Sequence, residues 1–288
     1  MCAQLNFGFK IVDRDKAAIQ PILTSLQNST RPLEIGLYFS NQAATDAIRF
    51  CLEDSNVPIN THFDHKRLNI FSADRRVDEF SEQIEKSFVF GADYSVIHVS
   101  DVPMPARGKR ENDGMHHLLA NCERLEALCE SFDDYPIYIE NTFHSLGFYH
   151  YLFENIRDAG LANIHFCFDL GHAKVRPGET LDKWIEFLLE LQAYGFLLHF
   201  HLHSNAGIHD DHFSFVEAQE MQLNNPDHFT EKLNYLQAIQ QIHRLFPQSR
   251  KVFEVKPEYA LRNLDYVLAH LNDNIDPYSH DSVMKKVS

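Results

Sequence analysis

The sequence predicts an α/β protein that folds as a single (β/α)8 barrel, and three observations support this prediction. Short apolar runs rich in β-branched and aromatic residues alternate with longer segments of helical periodicity along the chain. The chain has 288 residues, which one closed barrel with its outer helices accommodates. No stretch rich in Pro, Gly or Ser and no low-complexity tract divides it. A doubly wound open sheet is the alternative architecture.

Eight runs have the length and composition of buried strands. In chain order they are Leu5–Lys10, Leu33–Phe39, Val57–His62, Tyr94–His98, Ile137–Glu140, Ile164–Asp169, Phe196–His203 and Lys251–Val255. They alternate with helix candidates throughout, which is the pattern of a barrel.

Eight helix candidates follow these strands. They are Lys16–Gln27, Gln42–Glu53, Val77–Phe88, His116–Ser131, Phe148–Asp158, Leu181–Tyr194, His228–Leu245 and Tyr259–Leu271. In the sixth, Trp184, Leu188 and Leu191 lie on one apolar stripe. The eight strand–helix units favour one closed barrel over residues 1–272. Residues 273–288 have little apolar periodicity and are predicted to form a partly ordered C-terminal extension.

The composition excludes several function classes. The chain has 41 acidic residues and 26 Lys and Arg residues, so its formal net charge is −15. This charge argues against a broad binding surface for nucleic acid or anionic membranes. Neither GxGxxG nor GxxxxGK[ST] occurs, so dinucleotide binding and P-loop phosphoryl transfer lack sequence support. The five cysteines lack CxxC spacing, and no signal-peptide pattern or membrane-length apolar run is present. We expect a cytoplasmic protein without membrane contact.

Two connections are longer than a simple βα turn and are expected on the catalytic face of the barrel. The first, Val99–Met115, carries three basic residues that can bind a substrate phosphate: Arg107, Lys109 and Arg110. The second, Ser204–Asp227, contains the run Asp210-Asp211-His212 directly after the seventh strand.

Residue types that bind metals stand at the C-terminal ends of six consecutive strands. They are His62, His98, Glu140, Asp169, His201 or His203, and Glu254. Barrel strands converge at this face, so one inward side chain from each can reach a common point. Imidazole nitrogens and carboxylate oxygens together suit divalent Zn, Mn, Co or Fe. His172 follows Asp169 closely enough to bind the same ion or an adjacent one.

The seventh strand carries His199, His201 and His203, which strand alternation puts on one face. They cannot all bind one ion. Either His201 or His203 can be the inward ligand at the end of the strand, whereas His199 is expected to be a hydrogen-bonded histidine of the barrel interior.

Five short motifs resemble the xylose-isomerase-like TIM-barrel superfamily, which includes endonuclease IV. They are Ile-Glu-Asn-Thr around Glu140, Asp-Leu-Gly-His from Asp169, His-Leu-His-Ser-Asn from His201, Asp-Asp-His from Asp210, and the strand residue Glu254. The resemblance implies one Mn, Co, Zn or Mg ion held by Glu140, Asp169, His201 and Glu254. The family pattern favours His201 over His203, although Ser204 stands where an Asp is expected.

The first function implied by this resemblance is a metal-dependent isomerase or epimerase of a small sugar or polyol, with or without a phosphate group. The reaction runs through a metal-stabilised cis-enediolate, with Glu140 and Glu254 as proton acceptor and donor on opposite faces of the substrate. His172 holds a substrate hydroxyl, and the basic residues after the fourth strand hold a phosphate.

The second implied function is an endonuclease IV-like zinc phosphodiesterase that acts on abasic DNA. Its trinuclear site draws in five further ligands: His62, His98, His172, Asp210 and His212. A multinuclear iron oxidase and a non-catalytic metal-binding barrel are further alternatives. The number of ions is thus one to three per chain, and both the substrate and the oligomeric state stay open.

Overall fold

Hydrogen bonds between parallel neighbours close eight short strands into a barrel in chain order, β1 to β8, with β1 paired to β8. The structure, a computed structural model, describes residues 6–14, 16–53, 55–100, 109–142, 144–175, 179–206, 209–221 and 235–273. For 109–113 and 272–273 it describes the backbone alone. The predicted (β/α)8 architecture is confirmed, and the open-sheet alternative is wrong.

The eight strands are short, as in other closed parallel barrels. They are β1 Phe7–Val12, β2 Leu33–Gly36, β3 Ile59–His62, β4 Ser95–His98, β5 Ile137–Glu140, β6 Ile164–Asp169, β7 Leu198–Leu202 and β8 Lys251–Phe253. β2 ends at Gly36 instead of the predicted Phe39 because the Asp13 carboxylate accepts the backbone N–H groups of Tyr38, Phe39 and Ser40. These amides are therefore used by a loop and not by the sheet.

The helices lie around the barrel. They are α1 Lys16–Leu26, α2 Gln42–Leu52, α3 Val77–Val89, α4 Lys109–Ser131, α5 Leu146–Asp158, α6 Leu170–Val175, α7 Leu181–Ala193, α8 Phe215–Glu220, α9 Tyr235–Leu245 and α10 Pro257–Asp273. A 3₁₀ turn covers Ile70–Ser72. Among the described helices, none combines the length and the apolar character that crossing a membrane requires.

Three helices differ most from the prediction, whereas the others shift by a few residues at their described ends. α4 starts at Lys109 instead of His116, so the second half of the predicted loop Val99–Met115 is helical; Lys109, Arg110 and Glu111 are good helix formers. α6 and α8 were not predicted because six residues are too few to show a helical period. α8 nevertheless carries a capping box between Ser214 and Glu217, a signal visible in the sequence.

The two faces of the strands have opposite character. Outward-facing side chains such as Phe9, Ile35 and Ile139 are fully buried and belong to the large apolar core beneath the helices. Inside the barrel, Glu34 on β2 contacts His199 on β7, two strands that are not neighbours. The interior is therefore polar, in contrast to the branched apolar layers of most such barrels, and the apolar core between strands and helices holds the fold.

The pairing of β1 with β2 depends on a glycine. A Cβ at Gly8 would lie 1.7 Å from the carbonyl oxygen of Pro32, which accepts the backbone N–H of Phe9. Since the obstructing atom is backbone, the two strands themselves would have to separate.

We therefore expect Gly8→Ala to lower the free energy of unfolding by about 3 kcal/mol or more, at the upper end of overpacking costs. Chemical denaturation measures this change. The matched control is Gly147→Ala in α5, where a Cβ meets only Ser145 Oγ at 3.9 Å and the helix gains propensity. Equal stabilities of the two variants would contradict the close approach.

Candidate metal centre

The C-terminal ends of β3 to β8 bring the predicted ligand residues together in three adjoining groups. The first group is His62, His98 and Glu140, the second is Glu140, Asp169, His201 and Glu254, and the third is His172, His203, Asp210 and His212. Within each group, the candidate ligand atoms lie within 4.8 Å of one another. His201 and His203 belong to different groups, so the predicted choice between them is not required.

Glu140 lies at the centre of the site. Its Oε2 is 3.0 Å from His62 Nε2, 3.2 Å from His98 Nε2 and 3.4 Å from His201 Nδ1. Its Oε1 is 3.1 Å from His172 Nδ1. Burial alone raises the pKa of this carboxyl, but the nearby charges of His201 and His98 and hydrogen bonds hold the pKa well below its usual value. The carboxylate is therefore ionised and shared by the first two groups.

His201 links the site to the barrel interior. Its Nε2 is 2.9 Å from Glu34 Oε1, so this nitrogen carries a proton and donates. Its Nδ1 lies 3.1 Å from Glu254 Oε2, 3.4 Å from Glu140 Oε2 and 3.9 Å from Asp169 Oδ2. A lone pair on Nδ1 would be repelled by these three oxygens, so a cation has to lie between them: a metal ion, or a second proton on the ring.

Three other histidines have acceptors on both sides. The Nδ1 atoms of His62, His172 and His212 lie 2.8, 2.8 and 3.2 Å from backbone carbonyl oxygens, and each Nε2 faces a carboxylate. A neutral imidazole has one proton and satisfies one of two acceptors. When Nδ1–H donates to the carbonyl, the free Nε2 is the arrangement of a metal ligand oriented by its backbone.

The histidines differ in how readily they take up a second proton, which is the alternative to binding a metal ion. Burial foremost, and then the charge of Lys10, lower the pKa of His62, so this imidazole stays neutral opposite Glu140. For His212, burial lowers the pKa, but the charges of Glu254 and Asp210 outweigh burial and raise it to about 9. Of these histidines, His62 is therefore the one least able to satisfy its carboxylate partner by taking up a second proton in place of a metal ion.

Several buried atoms at the centre make no hydrogen bond. They are Glu140 Oε1, Asp169 Oδ2, His201 Nδ1, His203 Nε2 and Glu254 Oε2. Each belongs to a residue of one of the three groups, and leaving such atoms unpaired is costly. The side chains present therefore fit divalent metal ions, and the donor set of imidazole and carboxylate suits Zn, Mn, Co or Fe.

The loop after β7 carries Asp210 and His212 back to the site. Ser204 and Phe213 exchange backbone hydrogen bonds of 2.8 Å in both directions and so close the loop at its base. His212 takes a left-handed conformation with φ 50°, which turns its ring toward the barrel. Its Nε2 and that of His172 lie 2.8 and 3.1 Å from Asp210 Oδ2.

Asn141 holds the ends of β5 and β6 in register. Its Oδ1 accepts the backbone N–H of Asp169 at 2.6 Å, and its Nδ2 donates to the carbonyl of Asp169 at 2.9 Å. Asp169 Oδ1 in turn accepts the backbone N–H of His172 at 2.7 Å and so starts α6. This chain of bonds sets Asp169 and His172 relative to Glu140.

Sequence reasoning missed two charged residues inside the barrel. Lys10 Nζ lies 2.8 Å from Glu254 Oε1 and 3.3 Å from Glu34 Oε1, and all three side chains are largely or fully buried. Burial lowers the pKa of Lys10, but Glu254 and further anions raise it well above its usual value, so the lysine is charged. The signal was available: Lys10 and Glu34 each interrupt an apolar strand.

Tyr38 and His65 were also missed. The Tyr38 ring packs edge-on against His62 and His65 at centroid distances of 5.6 and 5.2 Å. His65 stacks on His98 at 4.6 Å. Both residues follow strand ends, so they extend the first group toward solvent.

The predicted interior histidine, His199, lies where expected. Its Nε2–H donates to Glu34 at 3.0 Å, and its Nδ1 accepts the Tyr94 hydroxyl at 2.9 Å. Cys167, His199 and His201 form a further compact group, but both nitrogens of His199 are already used there.

The predicted phosphate-binding residues cannot be located at the site. Arg107 lies outside the described residues; Lys109 and Arg110 form the start of α4, and their side chains lie outside the described part. The C-terminal extension is equally outside it, since α10 runs to Asp273 and residues 274–288 are not described.

Solved structures with this architecture include enzymes of different reaction classes. An endonuclease IV from Thermus thermophilus matches with a TM-score of 0.60 and 17% identity over 93% of this chain and 99% of its own. A second protein from that organism, soaked with ZnCl2, gives a TM-score of 0.63 and 17% identity over 93% and 99%. An L-ribulose 3-epimerase gives 0.54 and 14% over 91% and 86%.

The chain therefore shares the fold of the xylose-isomerase-like TIM barrels, as its motifs predict. No protein-family model matches the sequence. No curated protein matches it significantly.

We expect Lys10→Met to lower the free energy of unfolding of metal-free protein by about 3–5 kcal/mol, because Glu34 and Glu254 lose their buried cation. Saturating Zn²⁺ or Mn²⁺ is expected to recover part of this loss, because a divalent ion held by Glu254 would supply positive charge that the variant lacks and would therefore stabilise it more than wild type. Thermal and chemical unfolding with and without metal measure both effects.

The matched control is Lys251→Met. Lys251 is also buried, but it donates to the carbonyls of Phe246 and Ser249 at 2.6 and 2.7 Å. Metal is expected to leave its stability deficit unchanged. A Lys10 variant as stable as wild type without metal would contradict the assigned ion pairs.

Proposed function

We propose that the protein is a multinuclear metal-dependent hydrolase of phosphodiesters. One observation carries the proposal: Glu140 belongs to two ligand groups at once, and a third group adjoins them. A carboxylate that belongs to two groups could serve as a ligand to two neighbouring ions, as a multinuclear centre would use it. The geometry thus supports the second function of the sequence analysis over the first.

His62, His98 and Glu140 would hold one ion, and Glu140, Asp169, His201 and Glu254 a second. When bound, ions of such a centre polarise phosphoryl oxygens and lower the pKa of water. The protein supplies fixed ligand directions: backbone carbonyls orient His62, His172 and His212, and Glu34 orients His201.

The candidate ligands differ in how deeply they are buried. Glu140, Asp169 and His201 are fully buried, whereas Glu254, Asp210 and His212 are partly exposed and line the open side. A phosphodiester would therefore approach past Asp210 and His212. Buried carboxylates inside the barrel would repel the negatively charged phosphate, so the phosphate would bind at the mouth of the barrel and not below it.

Abasic DNA is one candidate substrate, in line with the likeness to an endonuclease IV. The net charge of −15 requires that any DNA surface be local. Two basic side chains of the loop after β3 are already paired, Arg67 with Glu79 and Arg75 with Asp74. The proposed substrate class is therefore the phosphodiester, of which abasic DNA is one member to be tested.

A sugar epimerase is the second candidate, and the second ligand group favours it. Glu140, Asp169, His201 and Glu254 form a complete four-residue group by themselves. Glu140 and Glu254 approach His201 Nδ1 from separate strands, β5 and the end of β8. Two such carboxylates can accept and donate a proton on opposite sides of one carbon. This reaction needs one ion.

Elemental analysis of protein purified without chelator or affinity tag separates these functions. We expect two or three Zn, Mn, Co or Fe ions per folded chain. A content of one ion, unchanged after reconstitution with excess metal, would favour the epimerase and overturn the multinuclear proposal. Absence of metal even after reconstitution would favour the non-catalytic barrel.

We expect Glu140→Gln to reduce hydrolysis of bis(4-nitrophenyl) phosphate by about 100-fold or more, because losing the charge common to the first two groups would weaken the hold on both ions. An oligonucleotide duplex with one abasic site tests the DNA substrate in parallel. Steady-state kinetics on metal-saturated protein provides the comparison.

Glu126→Gln is the matched control. Glu126 is a buried carboxylate on α4 that accepts the backbone N–H groups of Ala162 and Asn163, away from the site. Its variant should lose stability and keep its turnover per folded chain. Near-normal turnover of the Glu140 variant, or turnover of ketoses without phosphodiester hydrolysis, would count against the proposal.

A further inference from the structure

The third ligand group contains one more protein ligand than an open metal site needs. His172, His203, Asp210 and His212 place four candidate ligand atoms within 4.8 Å of one another. In zinc proteins, sites that activate water keep one coordination position open, whereas sites with four protein ligands are closed. The role of this group therefore depends on whether His203 is a ligand.

His203 has the features of a ligand. Its side chain is fully buried, and its Nε2 makes no hydrogen bond although it lies 3.1 Å from Asp169 Oδ1 and 3.5 Å from Asp210 Oδ1. Its Nδ1 lies 3.4 Å from the carbonyl oxygen of Ser204, the same backbone orientation that the neighbouring histidines have. Nε2 thus faces two carboxylate oxygens without a hydrogen bond, and a cation placed between them would be bound by all three atoms.

The surrounding structure reserves space for this ring. A Cβ on Gly171 would lie 2.0 Å from His203 Cε1, so α6 approaches β7 closely only because residue 171 is glycine. The ring stacks on His212 at a centroid distance of 4.3 Å and meets His172 edge-on at 5.7 Å. Its position is fixed by packing on three sides, as a preorganised ligand requires.

We propose that His203 completes a closed third metal site, with His172, Asp210 and His212 as its other ligands. This inference rests on the multinuclear centre of the proposed function and deepens it. The third ion then has a structural role: it ties the loop after β7 and α6 to the barrel. Phosphodiester and water bind at the first two groups, whose ligands include the shared Glu140.

Cobalt substitution tests this site without relying on activity. Co²⁺ accepts the same ligands as Zn²⁺, and its visible spectrum depends on the number and the type of its ligands. Metal-free protein titrated with Co²⁺ against a competing chelator gives the number of ions, their affinities and the spectrum of each.

We expect His203→Ala and His203→Gln to bind two ions as wild type does and to lose affinity for the third by about 100-fold or more, the upper range for disturbed metal sites. The visible spectrum of that ion should shift, because it loses one imidazole ligand. His165→Gln is the control, because His165 is a buried histidine at the start of β6, away from the ligand groups. Wild-type affinity and an unchanged spectrum in both His203 variants would overturn the proposal.

Gly171→Ala decides the question if the His203 variants fail to fold. It keeps the imidazole and displaces it, so the same loss of third-ion affinity is expected; undiminished affinity would overturn the closed site. Wild-type protein that binds fewer than three Co²⁺ ions overturns it as well. Three ions with the expected His203 dependence but without phosphodiester hydrolysis would reject only the function and leave the metal site standing.

Discussion

The central constraint on this structure is that a neutral imidazole has one proton to donate and the site offers its histidines two acceptors each. His62, His172, His201 and His212 all stand between such acceptors. Protonating all four inside a barrel mouth a few ångströms across would set like charges against one another at low dielectric. Bound metal ions would resolve this conflict, because they would neutralise the carboxylates and accept the imidazole lone pairs together.

Much of the barrel interior serves the same charge balance. Lys10 is the permanent cation: it meets Glu254 at the mouth and Glu34 below it. Glu34 in turn accepts hydrogen bonds from His199 and His201, which leaves His201 Nδ1 directed toward the mouth. Charged and hydrogen-bonded side chains thus fill the barrel interior below the site. Stability comes from the apolar core between the strands and the helices. Separating these tasks lets the site be polar without loss of the fold.

The proximity of the candidate ligand residues could be predicted from sequence because a parallel barrel gathers its strand ends at one face. The partners of those residues could not. Lys10 and Glu34 interrupt apolar strands as Glu254 does, but their pairing depends on which strands face each other across the barrel. His201 and His203 need not be alternatives for a related reason. They are two residues apart along the chain, and this distance places their side chains in separate ligand groups.

Three histidines outside the second ligand group, His62, His172 and His212, favour the multinuclear interpretation, because each faces a carboxylate. A single ion held by Glu140, Asp169, His201 and Glu254 would leave the neutral His62 facing Glu140 with no cation between them, which opposes folding. His172 and His212 would have to be protonated side by side next to Asp210. The fold also accommodates these groups: Gly171 clears space for His203, and the Ser204–Phe213 pairing returns His212 to the mouth. Features that cost stability without a bound cation are accounted for when further ions occupy the first and third groups.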